Sequence, residues 1–173
     1  AIADILFGDY NPAGRLPISI PRHEGQIPVY YNKKNPRGHN YVEMSADPLY
    51  SFGYGLSYTS FDYKDIKALQ KGKDNFEVSF SLKNIGNLAG DEVVQLYLKD
   101  EVASVVQPIK QLKKFSRIHL QPNEETTVSF TFTADDLSII NDKFERVVEP
   151  GLFTVMIGGS SVDIKLTTQI EVR

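Results

Sequence analysis

Asn75-Phe76-Glu77-Val78-Ser79-Phe80-Ser81-Leu82-Lys83 alternates apolar and polar side chains without a break. Phe76, Val78, Phe80 and Leu82 therefore fall on one side of an extended chain, with Glu77, Ser79, Ser81 and Lys83 on the other. A period of two marks a strand with one face in a core and one in water. The same period recurs at Val94, Leu96 and Leu98, at Val128, Phe130 and Phe132, at Phe153, Val155 and Ile157, and from Ile164 through Leu166, Thr168 and Ile170 to Val172. Turn-forming residues separate these runs: Lys71-Gly72-Lys73-Asp74, Asn84 to Gly90, Gln121-Pro122-Asn123, Glu149-Pro150-Gly151 and Gly158-Gly159-Ser160. About seven short strands in roughly 110 residues predict a mainly β, antiparallel sandwich. Phe130→Ala is accordingly expected to cost about 3–5 kcal/mol by leaving a core cavity, and an unchanged melting temperature would refute that face assignment.

Upstream of Phe61 the pattern is different. Ile2, Ile5 and Leu6 share one face of a short helix that Gly8 would stop, so the first residues read as a helix end from within a larger protein. Asp9 to Gly14 is a turn cluster, and Arg15-Leu16-Pro17-Ile18-Ser19-Ile20-Pro21 alternates like a short strand, which Pro17 would confine to a sheet edge. Residues 22–57 hold Pro28, Pro36 and Pro48 with Gly25, Gly38, Gly53 and Gly55 and read as a long linker or loop, a length that is uncommon unless the segment serves a function or wraps a neighbour. It ends in Pro48-Leu49-Tyr50-Ser51-Phe52-Gly53-Tyr54-Gly55-Leu56-Ser57-Tyr58-Thr59-Ser60-Phe61, aromatic and glycine-rich with no regular period. Rings bury area while glycines permit close approach, a combination suited to a seam between packed bodies or to a binding site.

Composition narrows the function classes. With 41% hydrophobic and 24% charged residues, the 173-residue chain falls in the range of folded proteins. A net charge of −3 and scattered basic residues argue against nucleic acid. The absence of cysteine excludes disulfides and thiolate chemistry, and the absence of both cysteine and tryptophan excludes an antibody-type core. No apolar run approaches the roughly 20 residues of a membrane-spanning helix.

Several residues are candidates for chemistry. Arg37, His39, Tyr41, Glu43 and Asp47 crowd one loop. Glu43 and Asp47 form a possible acid/base pair, although the ordinary reading of such a pair is a solvated surface. Tyr30, Tyr31, Tyr41, Tyr50, Tyr54 and Tyr58 offer flat faces to sugar rings or, alternatively, to a packed neighbour. His23, His39 and His119 are too dispersed for a metal site, and His119 is expected to point outward from its strand. Gly158-Gly159-Ser160-Ser161 lacks the lysine and following helix of a phosphate loop and reads as a hairpin turn. Asp135-Asp136 and Glu124-Glu125 read as turn and surface charges. No cofactor or metal is expected.

Six ordered segments carry a resemblance that spans nearly the whole chain. Phe7-Gly8-Asp9-Tyr10-Asn11-Pro12-Ala13-Gly14-Arg15-Leu16-Pro17, the Phe52 to Thr59 run, Asn84 to Tyr97, and Pro108 to Phe115 with Glu149-Pro150-Gly151 and Ile157 to Ser161 are similar to the C-terminal part of glycoside hydrolase family 3 enzymes. Ala13, Ser51, Gln107 and Lys114 depart from the pattern at turn or contact positions. The resemblance implies an immunoglobulin-like, fibronectin type III-like sandwich at 58–173, preceded at 1–57 by the tail of an α/β sandwich domain plus a linker loop. It implies a retaining β-glycosidase parent, most readily a β-glucosidase, otherwise a β-xylosidase, whose catalytic Asp and Glu lie upstream with carboxyls about 5–5.5 Å apart. No residue of this chain is then catalytic. Arg37, His39, Tyr41, Glu43 and Asp47 become candidates for the substrate rim, and Tyr50, Phe52, Tyr54, Leu56, Tyr58 and Phe61 an interdomain seam. The implied partners are the upstream catalytic domains and, in the parent, an oligosaccharide or glycoside; the implied location is periplasmic or extracellular. A stand-alone carbohydrate-binding or adhesion module, and a protein-interaction domain, are the rival readings, because the fold alone does not separate them.

Overall fold

The computed structural model describes residues 2–34, 44–73 and 75–173. After helix α1 (Ile2–Phe7) and a single 3-10 turn at Glu24–Gln26, the chain enters β1 (Phe61–Gly72), β2 (Asn75–Asn84), β3 (Gly90–Asp100), β4 (Gln111–Leu120) and β5 (Glu125–Phe132). A one-turn helix α2 (Ala134–Leu137) leads to β6 (Ile139–Ile140), β7 (Arg146–Val147), β8 (Gly151–Gly158) and β9 (Ile164–Val172). Two antiparallel sheets, ordered β1-β2-β5 and β4-β3-β8-β9, form a mainly β sandwich, with β6 and β7 as a small separate hairpin.

Alternation places the core as expected. Phe76, Val78, Phe80 and Leu82 point inward from β2, where Phe76 pairs with Phe132 and Val78 with Phe130 across the ladder to β5. The opposite sheet supplies Val94, Leu96, Leu98, Phe153, Val155, Ile157, Ile170 and Val172 to the same cluster. Phe80 stacks between Tyr63 and Phe130, with ring centroids 5.8 and 6.4 Å away. Phe130, on the edge strand β5, keeps 8% of its surface exposed. Its truncation to alanine is therefore expected to cost about 3 kcal/mol, the low end for a buried ring, measured by denaturant unfolding.

Two local readings need correction, and one strand is irregular. Arg15–Pro21 forms no strand, only a bridge between Ile20 and Tyr50. It lies alongside the aromatic run instead, with Leu16 N–H to Tyr54 O (2.9 Å), Gly53 N–H to Leu16 O (2.8 Å) and Ile20 N–H to Tyr50 O (2.8 Å). Pro17 and Pro21 cannot donate, which limits the pairing. β1 is not uniformly alternating: a register shift between Lys64 and Lys67, with Asp65 at φ 57°, marks a bulge. Asp135 and Asp136 open α2, and the Asp136 carboxylate accepts the Thr133 N–H at 3.0 Å while pairing with Lys114 at 2.9 Å. Other expectations hold. Gly8, at φ +88°, ends α1, and His119 faces outward.

Candidate functional site

The central strand β3 is covered on both faces. Its outward-pointing Gln95 and Tyr97 are 3% and 0% exposed, because residues 31–33 and 51–53 lie across them. The Tyr31 ring meets Tyr97 edge-on at 5.9 Å and stacks on Phe52 at 4.1 Å, and its hydroxyl accepts the Leu112 N–H at 3.1 Å. Gln95 Nε2 donates to Gly53 O (3.3 Å) and Gly159 O (2.6 Å), and its Oε1 accepts the Tyr97 hydroxyl. Ser161 N–H closes the contact on Phe52 O at 2.9 Å. Burial, with a smaller effect from neighbouring Tyr31, pushes the Tyr97 phenol above its usual range.

Two further polar centres tie the segment before residue 61 to the sandwich. Asn11 donates to Ala89 O (3.0 Å) and accepts from the Ser57 hydroxyl (3.1 Å) and Tyr58 N–H (2.8 Å). Arg15 Nη2 pairs with Glu92 Oε2 at 2.8 Å, and Glu92 Oε1 accepts the Tyr63 hydroxyl at 2.8 Å. The side chains of Arg15 and Glu92 are only 12% and 6% exposed. Burial first, then the Glu92 charge, pushes the Tyr63 phenol far above its usual range. The segments that carry the family resemblance, at Asn11 to Arg15, Phe52 to Thr59, Asn84 to Tyr97 and Gly158 to Ser161, thus meet in one junction. Asn84 lies fully buried there with its amide satisfied by Thr59, Gly86, Leu88 and Leu120.

Within the run from Pro48 to Phe61, small residues and Phe52 make the contact with the sandwich, and the tyrosines do not. Ser51, Gly53 and Thr59 are buried, whereas Tyr50, Tyr54, Leu56 and Tyr58 are exposed and Phe52 and Phe61 half-buried. Tyr50 and Tyr54 lean on each other at 5.0 Å, and the Tyr58 hydroxyl donates to Ile5 O at 2.6 Å. Gly53 sits at φ +82°, and a Cβ there would fall inside contact distance of Gln95 Oε1 and 2.7 Å from its Nε2. Gly53→Ala is expected to destabilise by about 1–3 kcal/mol. It should also weaken hydrogen-exchange protection at the Ser161 amide, and full protection there would contradict the packing described.

Two hollows flank the junction. A cleft of about 420 Å³ opens beside Arg15, Tyr54, Phe61 and Glu92 against Asp163 and Lys165, and an apolar groove of about 380 Å³ runs between Ile18, Ile27, Tyr30 and Phe52. Among the described residues, no group of three or more His, Asp or Glu side chains gathers as a metal site would need.

Of the loop candidates, Arg37, His39, Tyr41 and Glu43 lie outside the described residues. Asp47 is part of a hydrogen-bonded loop: its carboxylate accepts the Ser45 hydroxyl (3.0 Å), and its carbonyl accepts Arg22 Nε (3.0 Å) and Gln26 Nε2 (3.0 Å). Buried Gln26, unnoticed in the sequence, organises this loop by also donating to Ala46 O (3.1 Å) and accepting the Arg22 N–H (2.7 Å).

Surface carboxylates set the acid response. Burial raises the Asp91 carboxyl, but hydrogen bonds from His119 Nδ1 (2.6 Å) and Arg117 Nε (2.5 Å) outweigh it and hold the group below its ordinary 3.8. Glu101, bonded to Lys99 and Thr154, and Glu149, bonded to Ser104, are likewise held low. A depressed folded value contributes stability that is present above the unfolded value and lost as pH falls through the folded one. The melting temperature is expected to drop between about pH 5 and pH 3, and Asp91→Asn to flatten that drop.

With this geometry in view, comparison with known proteins is direct. Residues 1–58 match the glycosyl hydrolase family 3 C-terminal domain and residues 92–161 the fibronectin type III-like domain. The chain thus resembles the C-terminal part of glycosyl hydrolase family 3 proteins. It is 43% identical to a periplasmic β-glucosidase of Salmonella typhimurium, covering 95% of this chain and 23% of that protein. It is also 43% identical to a β-xylosidase of Formosa agariphila, covering 93% and 23%. A β-glucosidase structure from Listeria innocua in complex with glucose superposes with a TM-score of 0.89 at 38% identity, over 98% of this chain and 25% of that one. The chain therefore spans about a quarter of the length of these relatives. No helix among the described residues is long and apolar enough to cross a membrane.

Proposed function

We propose that this chain is the non-catalytic C-terminal portion of a retaining β-glucosidase that removes terminal non-reducing β-D-glucosyl residues, and that its sandwich buttresses the catalytic domains. In this reading residues 1–57 are the tail of an α/β sandwich domain with its linker, and residues 58–173 the fibronectin type III-like domain. The observation that carries it is the polarity of the junction. Gly53, Ser51 and Thr59 lock the segment onto the sandwich, while Tyr50, Tyr54, Leu56 and Tyr58 present an outward ridge. The exposed apolar face of α1, with Ile2, Leu6 and Phe7, adds to this uncovered surface. The upstream domains of the same polypeptide are the proposed partner for both, with Arg37, His39, Tyr41, Glu43 and Asp47 at the substrate rim. A periplasmic location follows the Salmonella relative's description.

A β-xylosidase parent is the second reading, favoured by 48% identity, over 96% of this chain, to a “Putative beta-xylosidase” of Formosa agariphila. Aryl β-glucoside and β-xyloside assays test both. The chain alone is expected to hydrolyse neither, and the parent to prefer the glucoside. Enzyme-like turnover by the chain alone would refute the non-catalytic role, and a preference for the xyloside would replace the glucosidase assignment.

A further inference from the structure

The apolar groove beside Phe52 has, among the described residues, no charged side chain in its wall. Pro17, Pro21 and Pro28 contribute backbone without an N–H, so the wall is also poor in donors. Ile18, Ile27 and Tyr30 stand in it 59%, 67% and 65% exposed. Large apolar side chains left contiguous in water mark a contact surface. The groove is continuous with the ridge formed by Tyr50 and Tyr54. Ile18 and Phe52 lie on the two segments that hydrogen-bond to each other from Leu16 N–H to Tyr54 O and from Ile20 N–H to Tyr50 O. Its volume of about 380 Å³ gives room for a large side chain.

We infer that this groove is a socket for an apolar side chain, of the leucine, methionine or phenylalanine kind, presented by the upstream catalytic domains of the same polypeptide. The inference rests on the proposed placement of this chain at the end of a glycosidase, and it adds one anchor point to that placement. The chain covers 23% and 25% of the Salmonella and Listeria relatives, which leaves about three quarters of their length to supply the occupant. A domain on the same polypeptide meets the socket at the effective concentration of a tether, an advantage that a second copy lacks. A sugar is a poor occupant, because its hydroxyls would face prolines and aliphatic side chains with few donors to replace water. An apolar side chain leaves no polar group unmatched and gains the burial of Ile18, Ile27 and Tyr30.

Hydroxyl-radical footprinting of the parent enzyme and of the 173-residue chain alone tests the socket without relying on turnover. Ile27 and Tyr30 are expected to be modified at least about fivefold more slowly in the parent than in the chain, as at the water-excluded centre of an interface. Ile27→Asp in the parent should return the Tyr30 rate to within about twofold of that in the chain, because a carboxylate is not buried against an apolar occupant. Ile27→Leu should keep Tyr30 protected. In the chain alone, where the position is exposed, Ile27→Asp is expected to leave the melting temperature within about 2 °C. Equal rates at Ile27 and Tyr30 in parent and chain would overturn the socket, as would a larger melting loss in the chain alone, which would make Ile27 a support of the fold. Protection in the chain alone that grows with its concentration would replace the upstream domains by a second copy. Protection confined to Tyr50, Tyr54 and Tyr58 would remove the socket and leave the buttress reading standing, whereas protection at neither surface would remove both.

Discussion

Glu92→Ala is expected to destabilise the chain by about 3–5 kcal/mol, as is typical when one partner of a buried ion pair is removed. Its carboxylate takes the Arg15 guanidinium on one oxygen and the Tyr63 hydroxyl on the other, both at 2.8 Å. Deleting it strands a guanidinium that already has one unmatched nitrogen, together with a buried phenol. Small domains hold only about 5–15 kcal/mol in total, so the variant would be marginal at physiological temperature. Replacing all three members, Arg15→Met with Glu92→Leu and Tyr63→Phe, should recover most of the loss, since well-packed apolar side chains can substitute for a buried ion pair and its hydrogen-bonded phenol. Denaturant unfolding of Glu92→Ala and of the triple variant checks this. A loss below about 1 kcal/mol for Glu92→Ala would mean the pair behaves as a solvated one.

Phe80→Ala is expected to cost about 4–5 kcal/mol, more than truncation of Phe130. The Phe80 side chain is 1% exposed, lies on the middle strand of its sheet, and stacks on a ring at either side. Truncation removes both ring contacts, each worth about 0.5–1.5 kcal/mol beyond burial, and leaves a cavity that flanking strands cannot collapse into. Phe80→Leu keeps most of the volume and should cost about 1.5 kcal/mol or less. An equal loss for the two substitutions at Phe80 would argue against a tightly packed site.

The strands were legible because alternation encodes one buried face directly. Phe76 to Leu82 and Phe153 to Ile157 needed nothing else. What alternation conceals is a second buried face: Gln95 and Tyr97 occupy the outward positions of β3, where polar or amphipathic side chains signal water. They are buried because Tyr31, Phe52 and Gly53 return from far upstream to cover them, and no local pattern reports a cover that is distant in sequence. The aromatic run was recognisable as a seam candidate, but its orientation was not. The rings were open to a sugar or to a packed neighbour, and it is the close approach of two backbones that selects Gly53, Ser51 and Thr59 for the sandwich side and leaves Tyr50, Tyr54 and Tyr58 outward. No local pattern singles out Arg15 and Glu92, because their pairing depends on a junction of segments 77 residues apart. The resemblance carried these positions as motif letters; the structure supplies their physical work, which is to join one segment to the other.

Comparison of Gly53→Ala with the unaltered parent enzyme addresses the buttress role most directly, with turnover and heat inactivation measured side by side. The structural role predicts kcat and KM for an aryl β-glucoside within about twofold of the unaltered enzyme at low temperature, with an inactivation half-life shortened about tenfold on heating. A tenfold fall in kcat with an unchanged half-life would contradict it, because the junction would then act on the chemistry.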